Sequence, residues 1–127
     1  MKWVLDEPGD QEARAIVETG EALIAPELVV AEVANAAWRR FAGGQIPLSQ
    51  AMLINVEVPR VFSELVALAP LRGRALSIAA ELRHPVYDCF YLALAEVEQA
   101  TLVTADRRLI GRLAGTQWDG LCRPLAG

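Results

Sequence analysis

Lysine is almost missing from this chain. Of twelve basic residues among 127, only Lys2 is a lysine and the rest are arginines. Sixteen acids bring the net charge to −4, which argues against a protein that coats nucleic acid through bulk positive charge. Arginine instead suits a local phosphate-facing rim, because its planar fork donates paired hydrogen bonds. Histidine occurs once, as His84. Locked before Pro85, it reads as a helix-end or loop residue, where a cation is favoured. A Ser-His-Asp hydrolase would need that histidine and a G-x-S-x-G elbow, and the elbow is absent. Neither a Walker motif nor G-x-G-x-x-G occurs, so the usual nucleotide-cradling loops are excluded. No D-x-D pair occurs, which ranks a small-molecule phosphatase low. The two cysteines, Cys89 and Cys122, have neither metal-ligand spacing nor a disulfide framework. Cys89 lies in an apolar run and reads as a small core residue. Apolar stretches stay below the roughly 18 residues needed to span a bilayer, and nothing resembles a signal peptide. A cytoplasmic location without membrane contact is expected.

What is present is apolar content: 54% hydrophobic residues and a mean hydropathy of +0.27. With this length, that suits a single domain over residues 1–127 with a real core. Met1 to Glu7 reads as the tail of a helix stopped by Pro8-Gly9. Asp10 can cap a second helix, Gln11 to Thr19, closed by Gly20. Ala22 to Ala25 reads as a buried strand, and Glu27 to Phe41 as a helix ended by Gly43-Gly44. Further helices are expected over Leu48 to Val56 and Arg72 to Arg83, with a strand at Leu65 to Leu68 between them. Cys89 to Ala95 reads as a buried helix, Glu96 to Ala100 as a turn and Thr101 to Thr104 as a buried strand. A short helix after Asp106 runs to about Leu113, and a last strand lies near Leu121 to Arg123. Strands alternating with helices predict an α/β fold with a parallel sheet flanked by helices.

Three acids stand out against that background. Asp88 opens the apolar helix, and Asp106 falls at the carboxyl end of a strand, where ligands of open parallel sheets sit. Glu32 shares a helical face with Leu28, Val29 and Ala36, with Asn35 three residues on. A carboxylate on such a face must meet an arginine, carry a proton or face a metal-filled cleft. Simpler accounts compete: capping of the following helix for Asp88 and Asp106, and an ion pair with Arg39 or another arginine for Glu32. Together, the three suit a hard divalent ion such as Mg²⁺, which takes oxygen ligands and keeps several waters. Such an ion polarises phosphate and activates water, so phosphodiester hydrolysis is the natural reaction class.

Four segments then carry a family resemblance: KWVLDEPGDQEA (Lys2 to Ala13), IAPELVVAEVANAAWR (Ile24 to Arg39), HPVYDCFYLALAE (His84 to Glu96) and LVTADRRL (Leu102 to Leu109). In this order they resemble PIN-domain ribonucleases, specifically VapC-type toxins of bacterial toxin–antitoxin pairs. The resemblance implies a three-layer PIN-like domain and a metal-dependent endoribonuclease using Mg²⁺ or Mn²⁺. By it, Glu32, Asp88 and Asp106 are catalytic metal ligands, with Asn35 and Thr104 in support. Arg39, Arg40, Arg107 and Arg108 are candidates for the RNA-facing rim. Implied partners are RNA, a cognate antitoxin and a second copy of the chain. The family also begins with a hydrophobic strand ending in an aspartate. With Lys2 to Glu7 read as helix, that strand and that ligand are expected to be missing, and Asp6 is not expected to replace the acid. On this reading the chain would be a poor nuclease. The alternative is a non-catalytic PIN-like module that binds antitoxin or RNA.

Overall fold

The computed structural model describes residues 2–6, 18–104 and 106–124. Its centre is a strand where the sequence predicted a helix. Lys2–Leu5 forms β1, with Val4 and Leu5 wholly buried. A helix here would run straight into Pro8-Gly9, which breaks it. A strand takes its partners from elsewhere, and β1 has one on each side. Trp3 pairs with Leu23 of β2 (Ala22–Pro26) and with Thr101 of β4 (Thr101–Thr104). The expected loss of the central strand is therefore overturned, and Asp6 directly follows β1 at its carboxyl end. The helix predicted over Gln11 to Thr19 lies almost wholly outside the described residues.

Two short strands complete an all-parallel sheet in the order β3-β2-β1-β4-β5. These are β3 (Glu64–Val66), slightly earlier than the predicted Leu65 to Leu68, and β5 (Cys122–Pro124). Both edges are three residues long, and Pro124 further blunts one of them, which limits edge-to-edge pairing. Helices flank the sheet in three layers, as predicted. α1 (Leu28–Ala42) and α2 (Leu48–Glu57) pack together, with Gly44 at φ 76 in the turn between them. That left-handed conformation favours glycine. α3 (Arg72–Leu82) packs on α4 (Val86–Glu98), and α4 lies against β1, β2 and β4. α5 (Arg107–Leu113) follows β4.

α4 is longer than its apolar run suggested. Pro85, in extended backbone, stands at its N-cap position, and Gln99 in the left-handed region ends it after Glu98. Glu96, predicted to lie in a turn, sits in the last helical turns and organises a contact between elements. Arg74 of α3 donates to both its carboxylate oxygens, at 2.7 and 2.8 Å, and the Trp118 indole Nε1 donates to Oε2 at 2.6 Å. The Arg74 guanidinium also lies 5.9 Å from the centre of the Trp118 ring. Trp118 is only 2% exposed, so its N–H needs this acceptor.

The Arg74 hydrogen bonds, followed by that from Trp118, hold the Glu96 carboxyl below its ordinary range against the opposing effect of burial. A depressed folded-state pKa adds stability above the unfolded pKa, and that stability is lost as pH falls through the folded value. Glu96→Gln should therefore flatten the acid limb of a stability–pH curve measured by denaturant unfolding. Glu96→Ala, which strands the indole donor, should cost about 1–3 kcal/mol at neutral pH.

Candidate metal centre at the carboxyl edge of the sheet

The strand order places a topological switch beside β1. The chain winds outward on one side through β2 and β3, then returns to the other side as β4 and β5. In open parallel sheets the crevice at such a switch, outside the carboxyl ends, is where ligands bind. Asp6 follows β1 and Asp106 comes just beyond β4, so the two acids stand on either side of the switch. The Asp6 backbone N–H lies 3.5 Å from the Val103 carbonyl oxygen of β4.

Asp106 is held closely. Its backbone N–H donates to Thr104 Oγ1 at 3.0 Å, and Thr104 is fully buried. One carboxylate oxygen, Oδ1, accepts from the backbone N–H groups of Arg108 (2.9 Å) and Leu109 (3.3 Å). The capping role considered from sequence is thus real for Asp106. It engages one oxygen of the carboxylate.

For Asp88 the capping role is not found, because Pro85 takes the N-cap position and Asp88 lies inside the first turn of α4. Its Oδ2 meets His84 Nε2 at 2.6 Å. The turn carrying His84 is pinned in several places. His84 N–H donates to Ala79 O at 3.2 Å, Arg83 adopts φ 54, and Arg112 Nη1 donates to the carbonyls of Leu82 (3.3 Å) and Arg83 (2.9 Å). One potential ligand atom from each of His84, Asp88 and Asp106 falls within 4.8 Å of the others. His84 does lie between helices, as predicted, but its ring faces this cluster.

Glu32, from α1, enters through Tyr91. The Tyr91 hydroxyl donates to Glu32 Oε1 from a position one turn beyond Asp88 on α4. Tyr91 is 1% exposed. Burial first, then the bond to Glu32, then the charges of Glu32, Asp6 and Asp88 drive its phenol pKa upward. The hydroxyl therefore stays a donor. Its surroundings also report that Asp6, Glu32 and Asp88, drawn from three separate elements, lie close enough to act on one group.

The donor set fits a hard divalent cation: carboxylates from several elements around one crevice, with an imidazole beside them. Asp88 and Asp106 come together with His84, while Glu32 and Asp6 lie outside that group and act, with Asp88, through their charges on Tyr91. Asn35 is exposed on α1, and no described contact ties it to the acids. Arg39 and Arg40 occupy the last turn of α1, and Arg107 and Arg108 the first turn of α5, all exposed. Sequence reasoning missed three residues here. Asp6 was hidden by the helix reading, although it ends the apolar run Trp3 to Leu5. His84 and Tyr91 sit four residues before and three after Asp88, which was a usable signal.

Tyr91→Phe removes a buried donor to a carboxylate, a class of bond worth about 1.5–3 kcal/mol. Denaturant unfolding should show a loss of that size, with the secondary structure retained by circular dichroism.

Comparison with known proteins agrees with this geometry. A family model described as the PIN domain matches residues 1–115. Among solved structures, PAE2754 from Pyrobaculum aerophilum superposes with a TM-score of 0.73 at 26% sequence identity, covering 91% of this chain and 82% of that one. No curated protein matches.

Proposed function

Since the chain belongs to the PIN-domain family of metal-dependent nucleases, we propose that it is an endoribonuclease of the VapC toxin kind, acting as one domain in the cytoplasm. Glu32, Asp88 and Asp106, joined by Asp6, are its metal ligands and catalytic residues. The observation that carries this reading is the approach of Asp88 and Asp106 to within 4.8 Å, with His84, beside the switch in strand order. The non-catalytic alternative rests on a missing aspartate, and the presence of β1 with Asp6 at its carboxyl end supports the catalytic reading.

These carboxylates would hold Mg²⁺ or Mn²⁺, which would supply Lewis-acid polarisation of the scissile phosphate and a more acidic attacking water. The chain's own residues supply position. Thr104 and the first turn of α5 fix Asp106, while Tyr91 holds Glu32. Arg107 and Arg108 flank Asp106 and would face the RNA backbone, with Arg39 and Arg40 further out on α1. Asn35 extends the polar face of α1 next to Glu32. Among the described residues no helix is long and apolar enough to cross a membrane.

Protein partners belong to the same proposal: a cognate antitoxin and a second copy of the chain. An apolar cavity of about 250 Å³ between α1 and α2 supports a protein-binding face, with Trp38, Phe41, Leu48 and Met52 in its lining. Trp38 is 60% exposed there, which is unusual for so large an apolar side chain away from an interface.

Asp6→Asn and Asp88→Asn should each slow Mn²⁺-dependent RNA cleavage about a hundredfold or more, since small misplacements at a reacting centre already cost that much. Both should also reduce the rise in melting temperature that divalent ions give the folded state. Wild-type rates in either variant would remove that acid from the centre. Replacing Arg107 and Arg108 with Gln should weaken RNA binding and lower its salt slope by about 0.7 for each phosphate no longer neutralised. An unchanged slope would assign them to the solvated surface.

A further inference from the structure

Packing accounts for most aromatic side chains of this chain. Trp118, Tyr91 and Phe62 are buried in the core, and Trp38 and Phe41 line the apolar cavity between α1 and α2. Tyr87 belongs to neither group. It is 62% exposed, and its hydroxyl makes no hydrogen bond among the described residues. It also directly precedes Asp88 in the first turn of α4. We propose that Tyr87 is a base-stacking residue, whose ring receives the nucleobase next to the phosphate held at the acidic crevice. The proposal rests on the ribonuclease reading above and adds to it a subsite for a base.

Helix geometry puts Tyr87 at the mouth of the crevice. Residues three and four apart share a helical face, so Tyr91 stands over both Asp88 and Tyr87. Tyr91 is buried and turns its hydroxyl to Glu32 of α1. One turn earlier the same face leaves the core, with Asp88 half-buried and Tyr87 exposed. Helical side chains lean toward the N-terminus, so the Tyr87 ring extends past the start of α4, at the end that carries Asp88.

Charge around this end suits the backbone of the same ligand. Arg83, Arg107 and Arg108 are exposed, and none pairs with an acid among the described residues. Arg83 stands one residue before His84, and Arg107 and Arg108 follow Asp106, so the three bracket the group formed by His84, Asp88 and Asp106. Cations that track phosphates and an aromatic face that takes a base are the two parts of a single-strand site. The arginines hold a phosphate whatever base it carries, whereas the ring requires a base drawn out of its stack. A tyrosine has two side-chain torsions, so fixing it on a base costs little entropy.

The test uses the full chain with Mn²⁺ and an end-labelled single-stranded RNA oligomer containing all four bases, whose cut site is mapped first. Abasic nucleotides, which keep sugar and phosphate, are then placed on each side of the cut in turn. Stacking of one base on an aromatic ring is worth about 5- to 150-fold. Wild type should lose kcat/KM on that scale at one abasic position. Tyr87→Leu should lose a similar factor on the intact oligomer and little more on the abasic one. Tyr87→Phe keeps the ring and should retain most of the rate. The melting temperature of Tyr87→Leu and its rise with Mn²⁺ should match wild type, since the ring is exposed and is no ligand. A fall in either would assign Tyr87 to the fold or to the metal centre and overturn the proposal. So would independent, multiplying losses from Tyr87→Leu and the abasic position, or a Tyr87→Phe variant as slow as Tyr87→Leu. Wild-type cleavage by Tyr87→Leu overturns it too and leaves the ring to a protein partner, with the nuclease reading intact. Wild type that cuts no RNA, against Asp88→Asn as the blank, overturns the nuclease reading itself and this subsite with it.

Discussion

The double pairing of β1 is the constraint on which the rest depends. Four residues, Lys2–Leu5, carry the hydrogen bonds that join β2 on one side to β4 on the other. Buried backbone groups must find partners, so removing β1 would leave both neighbours with open edges in the middle of the sheet. The same strand creates the switch in strand order and delivers Asp6 to it. α4 then covers β1, β2 and β4 with a nearly continuous buried face, Tyr91 to Ala95. Asp88 and Tyr91 ride on that helix, so the packing that closes the core also sets the position of the acids.

Much of this was legible in the sequence because local and tertiary preferences agree. Thr101–Thr104 is a short β-branched run between turn signals and forms β4 with the expected bounds. Asp106 to Leu113 pairs an N-cap with a helix that begins where expected. Lys2 to Leu5 failed for the opposite reason. So short a segment has no readable period, and its state is decided by β2 and β4, which lie far along the chain. Strand register and edge length are tertiary in the same sense, and β3 and β5 were displaced by a residue or so.

The acids were legible as candidates, while their supporting groups were not. Asp88 and Asp106 stand out beside apolar runs, and Glu32 stands out on a helix face. The partners that hold them cross between elements, as Tyr91 does to Glu32, or cross a helix start, as His84 does to Asp88. Pro85 separates His84 from the helix, so helical spacing alone does not predict that contact. Charge behaves similarly at Glu96. Its role appears only when Arg74 and Trp118 are seen to meet on it.

The pairing of Val4 with Leu102 also has a consequence in time. The two partners are made far apart during synthesis. At about 5–20 residues per second, β4 leaves the ribosome roughly 5–20 s after β1. Until then β1 has at most one of its two neighbours, and Asp6 has no Asp106 to face. The crevice at the switch cannot assemble before β4 has emerged. A growing polypeptide of this kind carries its acids in separate pieces, and they converge only once β4 and Asp106 have followed.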